Sequence, residues 1–258
     1  MHTTLAIKTY NENQLEVVEA FLKLKLKGLK VKTQVCGTLN NWVQVSISGE
    51  DEKIALRYIS EEVGLCPNTI EEIRKFSTLK GYITAINKDQ IIIDIGVSSP
   101  QKVEAELTLQ HLQAQLADGR KLALAKLAEL YGFRENIPLT VKALNMNKEE
   151  GIVETTFSEA QLRIYKGWMK SLLDRLIVLG ATREKVMSVL RVKRCLRDVV
   201  DVESLGLFEN AMVCKLGTDA AGLIPKIGRE LSNAAITVFS PRRILEFFGE
   251  NMLLEKWV

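Results

Sequence analysis

The chain has 258 residues, 35 Lys and Arg against 32 Asp and Glu, a formal net charge of +3, and 47% apolar residues. These proportions belong to an ordinary globular protein and exclude a disordered charged tail or a collagen-like repeat. No run approaches the roughly 18–20 apolar residues of a membrane-spanning helix, so no membrane association is expected.

The N-terminal sequence MHTTLAIKTY lacks the layout of a secretory signal. Cys36, Cys66, Cys195 and Cys214 are dispersed, with no CxxC pair, and His2 and His111 are isolated. This pattern predicts no metal or cofactor, and a reducing cytoplasm in which each thiol serves as a small buried apolar group. At roughly 100–200 residues per domain, two or three domains are expected.

In chain order, Leu5 and Ile7 alternate as in a strand, and residues 12–27 read as a helix ended by Gly28. Lys23, Lys25 and Lys27 alternate with leucines there and also fit a strand. Val31, Thr33 and Val35, then Val43, Val45 and Ile47, give two more strands around a turn at 37–41. Ile54, Ala55, Tyr58, Ile59 and Val63 fall at helical spacing. The order β-α-β-β-α predicts a small α+β sandwich over residues 1–68, closed by Pro67.

From Ser77 the pattern becomes barrel-like. LKGYITAINKDQIIIDIG reads as two strands, VEAELTLQHL as a third running into a helix, and residues 120–131 as a helix capped by Gly132. IPLTVKALNMNKEEGIVETTF supplies two further strands. Five strands with a helix between the third and fourth outline an OB barrel over residues 76–157.

Ser158 and Gln161 have capping-box spacing, and the helix they open is expected to run to Leu179 and stop at Gly180. Thr182 caps a basic helix over residues 183–193, so 158–196 reads as a basic helical hairpin. Residues 197–258 return to strand patterning, with a helix expected over 242–257. The fold class expected is therefore α+β with OB-type barrel units.

Two segments share one layout. Gly81-Tyr82-Ile83, Ile92-Ile93-Asp94-Ile95-Gly96 and Ala105-Glu106-Leu107 form the first. Val199-Val200-Asp201-Val202, Gly206-Leu207-Phe208 and Gly222-Leu223-Ile224-Pro225 form the second. Both resemble the S-one RNA-binding motif, an OB-barrel type, which implies a second OB-like unit over 197–258. The first copy departs from it at Gln90 and Ile91, where a stacking aromatic would sit. Whether the two units are separate barrels stays open.

The whole chain also resembles an archaeal protein family catalogued as a domain of unknown function. The resemblance is carried by residues 198–203, 206–209 and 214–228, with Asp174-Arg175-Leu176 and Gly180-Ala181-Thr182. It implies an archaeal cytoplasmic setting and transfers no functional residue.

The charge is uneven. Residues 160–197 hold ten basic and two acidic side chains, a net of +8 against −5 for the remainder. Arg163, Lys166 and Lys170 share one helix face, and Arg183, Lys185, Arg191, Lys193, Arg194 and Arg197 follow. Cations displayed on a helix pair can track phosphates, releasing condensed counterions as they do. Lys215, Lys226 and Arg229, expected near Phe208, would give a second patch. Phe208 in the G-x-F slot, Tyr82 and Trp42 are the candidates for base stacking, and for Phe208 and Tyr82 a core position fits the pattern at least as well. Trp42 shares an outward parity with Gln44 and Ser46, so it is either exposed or docked on another domain.

No P-loop, G-x-G-x-x-G fingerprint or G-x-S-x-G elbow occurs, and no catalytic constellation is recognised. The reading is a non-catalytic RNA-binding protein associated with the ribosome, translation or RNA processing, with RNA or a ribonucleoprotein as partner. The alternatives are an adaptor docking an acidic protein partner, and a metal-dependent nuclease using Asp198, Asp201 and Glu203.

Overall fold

The computed structural model describes residues 1–249. The N-terminal unit runs β1 (His2–Lys8), α1 (Gln14–Lys25), β2 (Val31–Leu39), β3 (Trp42–Gly49), α2 (Glu52–Glu62). Its antiparallel sheet has the order β1-β3-β2. Leu5, Ile7, Val45 and Ile47 face Val18, Leu22, Ala55 and Ile59 of the two helices. The period-two strands and the helical spacing thus build the sandwich read from sequence.

A further segment was not legible. Beyond α2 the chain returns along the free side of β1, where Leu5 and Leu65 form an isolated antiparallel bridge. The Ala6 N–H donates to Gly64 O at 3.0 Å and the Cys66 N–H to Thr4 O at 2.9 Å. This is a fourth strand reduced to one bridge, which makes the unit βαββαβ.

The middle of the chain is β4 (Thr78–Ile86), β5 (Gln90–Val97), β6 (Val103–Thr108), α3 (Leu109–Leu116), α4 (Leu124–Tyr131), β7 (Pro138–Asn147) and β8 (Ile152–Phe157). The strands close in the order β4-β5-β6-β8-β7, with β6 and β8 parallel. That is the OB barrel expected, with helices between its third and fourth strands. Ile83, Ile91, Ile93, Ala105, Leu107, Val141 and Val153 fill the interior. Gly132 ends α4 in the left-handed region, φ 69°.

Then come α5 (Glu159–Ser171), β9 (Arg175–Leu179), α6 (Arg183–Val192), β10 (Val199–Ser204), β11 (Glu209–Cys214), α7 (Ala220–Ile227), β12 (Ala235–Phe239) and α8 (Pro241–Phe248). Ser158 caps α5 by accepting the Gln161 N–H at 3.1 Å. The Gln161 side chain does not close the capping box; it accepts the Thr140 N–H at 3.0 Å and ties α5 to β7.

Three expectations need correction. The helix from Ser158 stops at Ser171, with Leu172 as a left-handed cap, φ 54°. Residues Arg175–Leu179 are a fully buried strand, because a short run apolar on both sides suits the centre of a sheet. The basic hairpin is therefore interrupted by β9. The third correction concerns the C-terminal unit, which is not a second barrel among the described residues. It is an open antiparallel sheet, β10-β11-β9-β12, in a second βαββαβ unit. Gly222-Leu223-Ile224, part of the second S-one-like segment, lies in α7. Part of the helix expected over 242–257 is α8; residues 250–258 lie outside the described residues.

The sheet faces explain the packing. Leu176, Val178, Met212 and Cys214 of the C-terminal sheet meet α6 and α7. Ile177, Leu179, Ala211 and Phe239 face the other way and join one core with α5, α8 and the barrel. Both βαββαβ units thus turn toward the barrel the face that their own two helices leave open, which in the C-terminal unit also takes α5 and α8. Three thiols are buried as expected, but Cys36 on β2 is exposed.

Each open sheet has two edges. The β12 edge is covered by the Arg134 guanidinium, which donates to Ile236 O at 2.7 Å, and by a Thr237 hydroxyl bond to Gly132 O at 3.1 Å. The β2 edge is left open and breaks register between Val35 and Gly37; the β10 edge breaks between Val199 and Asp201 and is capped at Val202, whose O accepts from Arg183 at 2.9 Å and whose N–H donates to Asp201 Oδ1 at 2.7 Å.

Candidate nucleic-acid interface

Because β9 lies between α5 and α6, those helices pack on opposite faces of the C-terminal sheet. Arg163, Lys166 and Lys170 on α5 therefore lie across the sheet from the carboxyl end of α6. Arg163 and Lys170 are exposed and Lys166 is half-buried.

The second group gathers at the carboxyl end of α6. Arg191, Arg194 and Arg197 are exposed, and none of Arg163, Lys170, Arg191 or Arg194 forms an ion pair among the described residues. Lys215 joins them, since its N–H donates to Asp198 O at 2.9 Å. Arg194 itself occupies the left-handed region, φ 56°. There it ends α6, with the Cys195 N–H closing on Leu190 O at 2.9 Å, in a cap that glycine usually fills.

Other cations are already engaged. Lys193 pairs with Glu230 at 2.8 Å, which holds the Glu230 carboxyl below its usual range. Arg183 donates to Val202 O at 2.9 Å and pairs with Asp201 at 3.6 Å. Arg197 pairs with Asp198 at 3.8 Å. Lys185, Lys226 and Arg229 are exposed on the α6 and α7 segments.

The predicted stacking aromatics are not surface groups. Phe208 is fully buried in the N-terminal core. Lys215 follows the far end of β11 from it, about 20 Å away at strand rise, so the patch expected around Phe208 does not form. Trp42 and Tyr82 are buried against each other, ring centroids 5.2 Å apart. The Trp42 indole N–H donates to Asp94 Oδ2 at 2.9 Å, and Lys8 pairs with the same oxygen at 3.1 Å. The Gly96 N–H donates to Asp94 Oδ1 at 3.0 Å. A Cβ on Gly96 would overlap the Cys66 sulfur. Trp42 thus docks the N-terminal unit on the barrel.

This docking bears on the barrel itself. In OB folds the second and third strands form the reading face. Here Asp94 and Gly96 on the second strand, β5, lie beneath the N-terminal unit. The third strand, β6, carries Glu104 and Glu106, and Glu106 lies level with Glu154 of β8. Covered on one strand and acidic on the next, this face does not suit a polyanion.

The nuclease carboxylates are committed elsewhere. Glu203 accepts from the Trp168 indole at 3.0 Å and pairs with buried Arg175 at 3.4 Å, while Asp201 and Asp198 hold Arg183 and Arg197. Among the described residues, no group of three or more His, Cys, Asp or Glu could hold a metal ion.

The G-x-F glycine has a different reason. A Cβ on Gly206 would overlap the Glu209 carboxylate, which is fully buried where all three units meet. Glu209 accepts from the Tyr10 hydroxyl at 2.8 Å and, more distantly, from Tyr82 at 3.5 Å. Burial pushes its carboxyl up to about 7, against the lowering effect of these hydroxyls. A cleft of about 500 Å³ opens beside this junction. The cations on its wall are engaged, Lys80 with Val63 O at 2.7 Å and Arg183 as above.

Family models match the chain in three consecutive pieces: the DUF2110 N-terminal domain over residues 2–69, the central domain over 73–169 and the C-terminal domain over 173–239. The chain belongs to the DUF2110 family. It also has partial similarities to solved structures. Protein MJ1198 of Methanocaldococcus jannaschii is 16% identical, with 34% of this chain and 95% of that one covered at a TM-score of 0.23. The intact alpha subunit of aIF2 from Pyrococcus abyssi is 8% identical, covering 65% and 96% at 0.27. A chain of the a/eIF2alpha-aDim2p-rRNA complex from Pyrococcus horikoshii OT3 is 10% identical, covering 48% and 62% at 0.27. No curated protein matches this member of the family, and no helix among its described residues is long and apolar enough to cross a membrane.

Proposed function

We propose that this protein binds RNA through phosphate contacts at the carboxyl end of α6, in a cytoplasmic setting connected with translation or RNA processing. The observation that carries the reading is the cluster of Arg191, Arg194, Arg197 and Lys215, with two of its guanidinium groups free of carboxylate partners. Arg194 is held in a backbone region that disfavours a long side chain, a cost that persists where the side chain has a task. Guanidinium forks match phosphate oxygens and release counterions on binding. The α5 cations lie on another face and would serve as a separate, weaker contact.

The test is RNA affinity across a salt series for the protein carrying Arg191→Glu, Lys193→Glu and Arg194→Glu. Binding should weaken about tenfold or more, and the slope of log affinity against log salt should fall by about 2, since Lys193 already pairs with Glu230. Unchanged affinity in a variant that melts normally removes this site.

A further inference from the structure

On the outer wall of the barrel, away from β5 and β6, one aromatic ring is left in water. Phe76, just ahead of β4, is 58% exposed. Its backbone is left-handed, φ 67°. Four of the other non-glycine residues with positive φ are Asn40, Asn41, Asp118 and Asn136, whose short polar side chains tolerate that region. A phenylalanine there is an outlier.

The conformation is pinned to the barrel. The Phe76 N–H donates to Ala143 O at 2.8 Å, the Ala143 N–H to Ser77 O at 3.0 Å, and the Ser77 N–H to Arg74 O at 3.0 Å. The ring is therefore presented from a fixed backbone. Two ammonium groups lie over it in cation–π contact, Lys75 at 5.3 Å and Lys142 at 5.4 Å from the centroid, on long side chains that can swing aside for a base. Neither lysine forms an ion pair among the described residues, and Arg74 is exposed next to them.

We infer that Phe76 is a stacking platform for an unpaired RNA base, with Lys75 and Lys142 placed to take the phosphates of the stacked nucleotide. A ring in water between two cations suits a ligand that is flat and aromatic at one end and anionic at the other. A nucleotide has both parts. An acidic peptide would use the lysines and leave the ring unmatched. The inference takes its class of ligand from the RNA reading, but its geometry is independent of the α6 cluster.

The test uses the whole protein and a short unstructured RNA oligonucleotide carrying a fluorescent adenine analogue, whose emission falls on stacking. The parent should bind and quench it. Phe76→Asn, which keeps the left-handed backbone, should weaken binding about tenfold and abolish quenching, and Phe76→Trp should restore both. The α6 triple variant should bind more weakly yet quench fully at saturation. If instead it binds like the parent while Phe76→Asn fails, the α6 site falls and the platform stands. Undiminished quenching in Phe76→Asn, or no binding by the parent, overturns the platform. Should Phe76→Asn melt early, Lys75→Gln combined with Lys142→Gln decides: weaker binding with a shallower salt slope supports the site, and unchanged binding overturns it.

Discussion

The two βαββαβ units share a strand order and both turn toward the barrel the sheet face that their own helices leave open, yet they adhere by different chemistry. The N-terminal unit is fixed by a buried charged contact, with Asp94 accepting from Lys8, the Trp42 indole and the Gly96 amide. The C-terminal unit is fixed by aromatic packing, in which Phe239 meets Tyr131, Tyr165 and Trp168 with centroids 5.0–6.0 Å apart. A polar contact sets one geometry and is costly to leave half-made, whereas an apolar one merges two units into a single core. The difference teaches that one fold can be attached either as a keyed module or as a continuation of its neighbour.

The largest effect should come from breaking the key. Asp94→Ala leaves Lys8 buried and unpaired, and should cost about 3–5 kcal/mol. Hydrogen exchange should place the loss in the N-terminal unit. Phe239→Ala should cost a similar amount but loosen the barrel and the C-terminal unit together. If exchange spreads evenly in both variants, the contrast is wrong.

A smaller effect sharpens the junction where the units meet. Glu209 is raised in the folded protein, so the unfolded chain ionises first as pH rises. Stability is therefore full below about pH 4.5, falls as pH climbs to about 7, and is level above that. The loss is at most about 3 kcal/mol. Glu209→Gln should flatten this window and be the more stable form above pH 7, as urea melts at about pH 5 and about pH 8 would record.

The smallest effect separates stability from binding. Arg194→Gly relieves the left-handed cap and should add about 1 kcal/mol of stability. The same change should lower the salt slope of RNA binding by about 1. Calorimetry and a salt titration on one variant then move in opposite directions.

Much of this architecture was legible in the sequence, and the failures have physical causes. Alternating Val31, Thr33, Val35 and the helical spacing of Ile54 to Val63 identify elements with one wet and one dry side. The run Arg175–Leu179 is dry on both sides, so it carries no period, and its leucines extended the α5 pattern. Leu172 ends that helix where a glycine would have announced the stop. That one missing signal joined two basic helices that a sheet keeps apart. Gly206 and Phe208 fit the S-one pattern, but their spacing serves a buried carboxylate and a neighbouring core. Phe76 lay between elements, where an aromatic has no pattern to be read against.

The open rim of β2 and the partly capped rim of β10 bear on how this molecule behaves at high concentration. A flat row of free amides and carbonyls invites another chain to add itself, and two such rows would permit growth at both ends. Here each row loses step once, Asp201 places charge beside the β10 break, and Lys32 places it near the start of β2. A newcomer would have to follow the kink and bury those charges, so self-addition into fibres is discouraged at both ends.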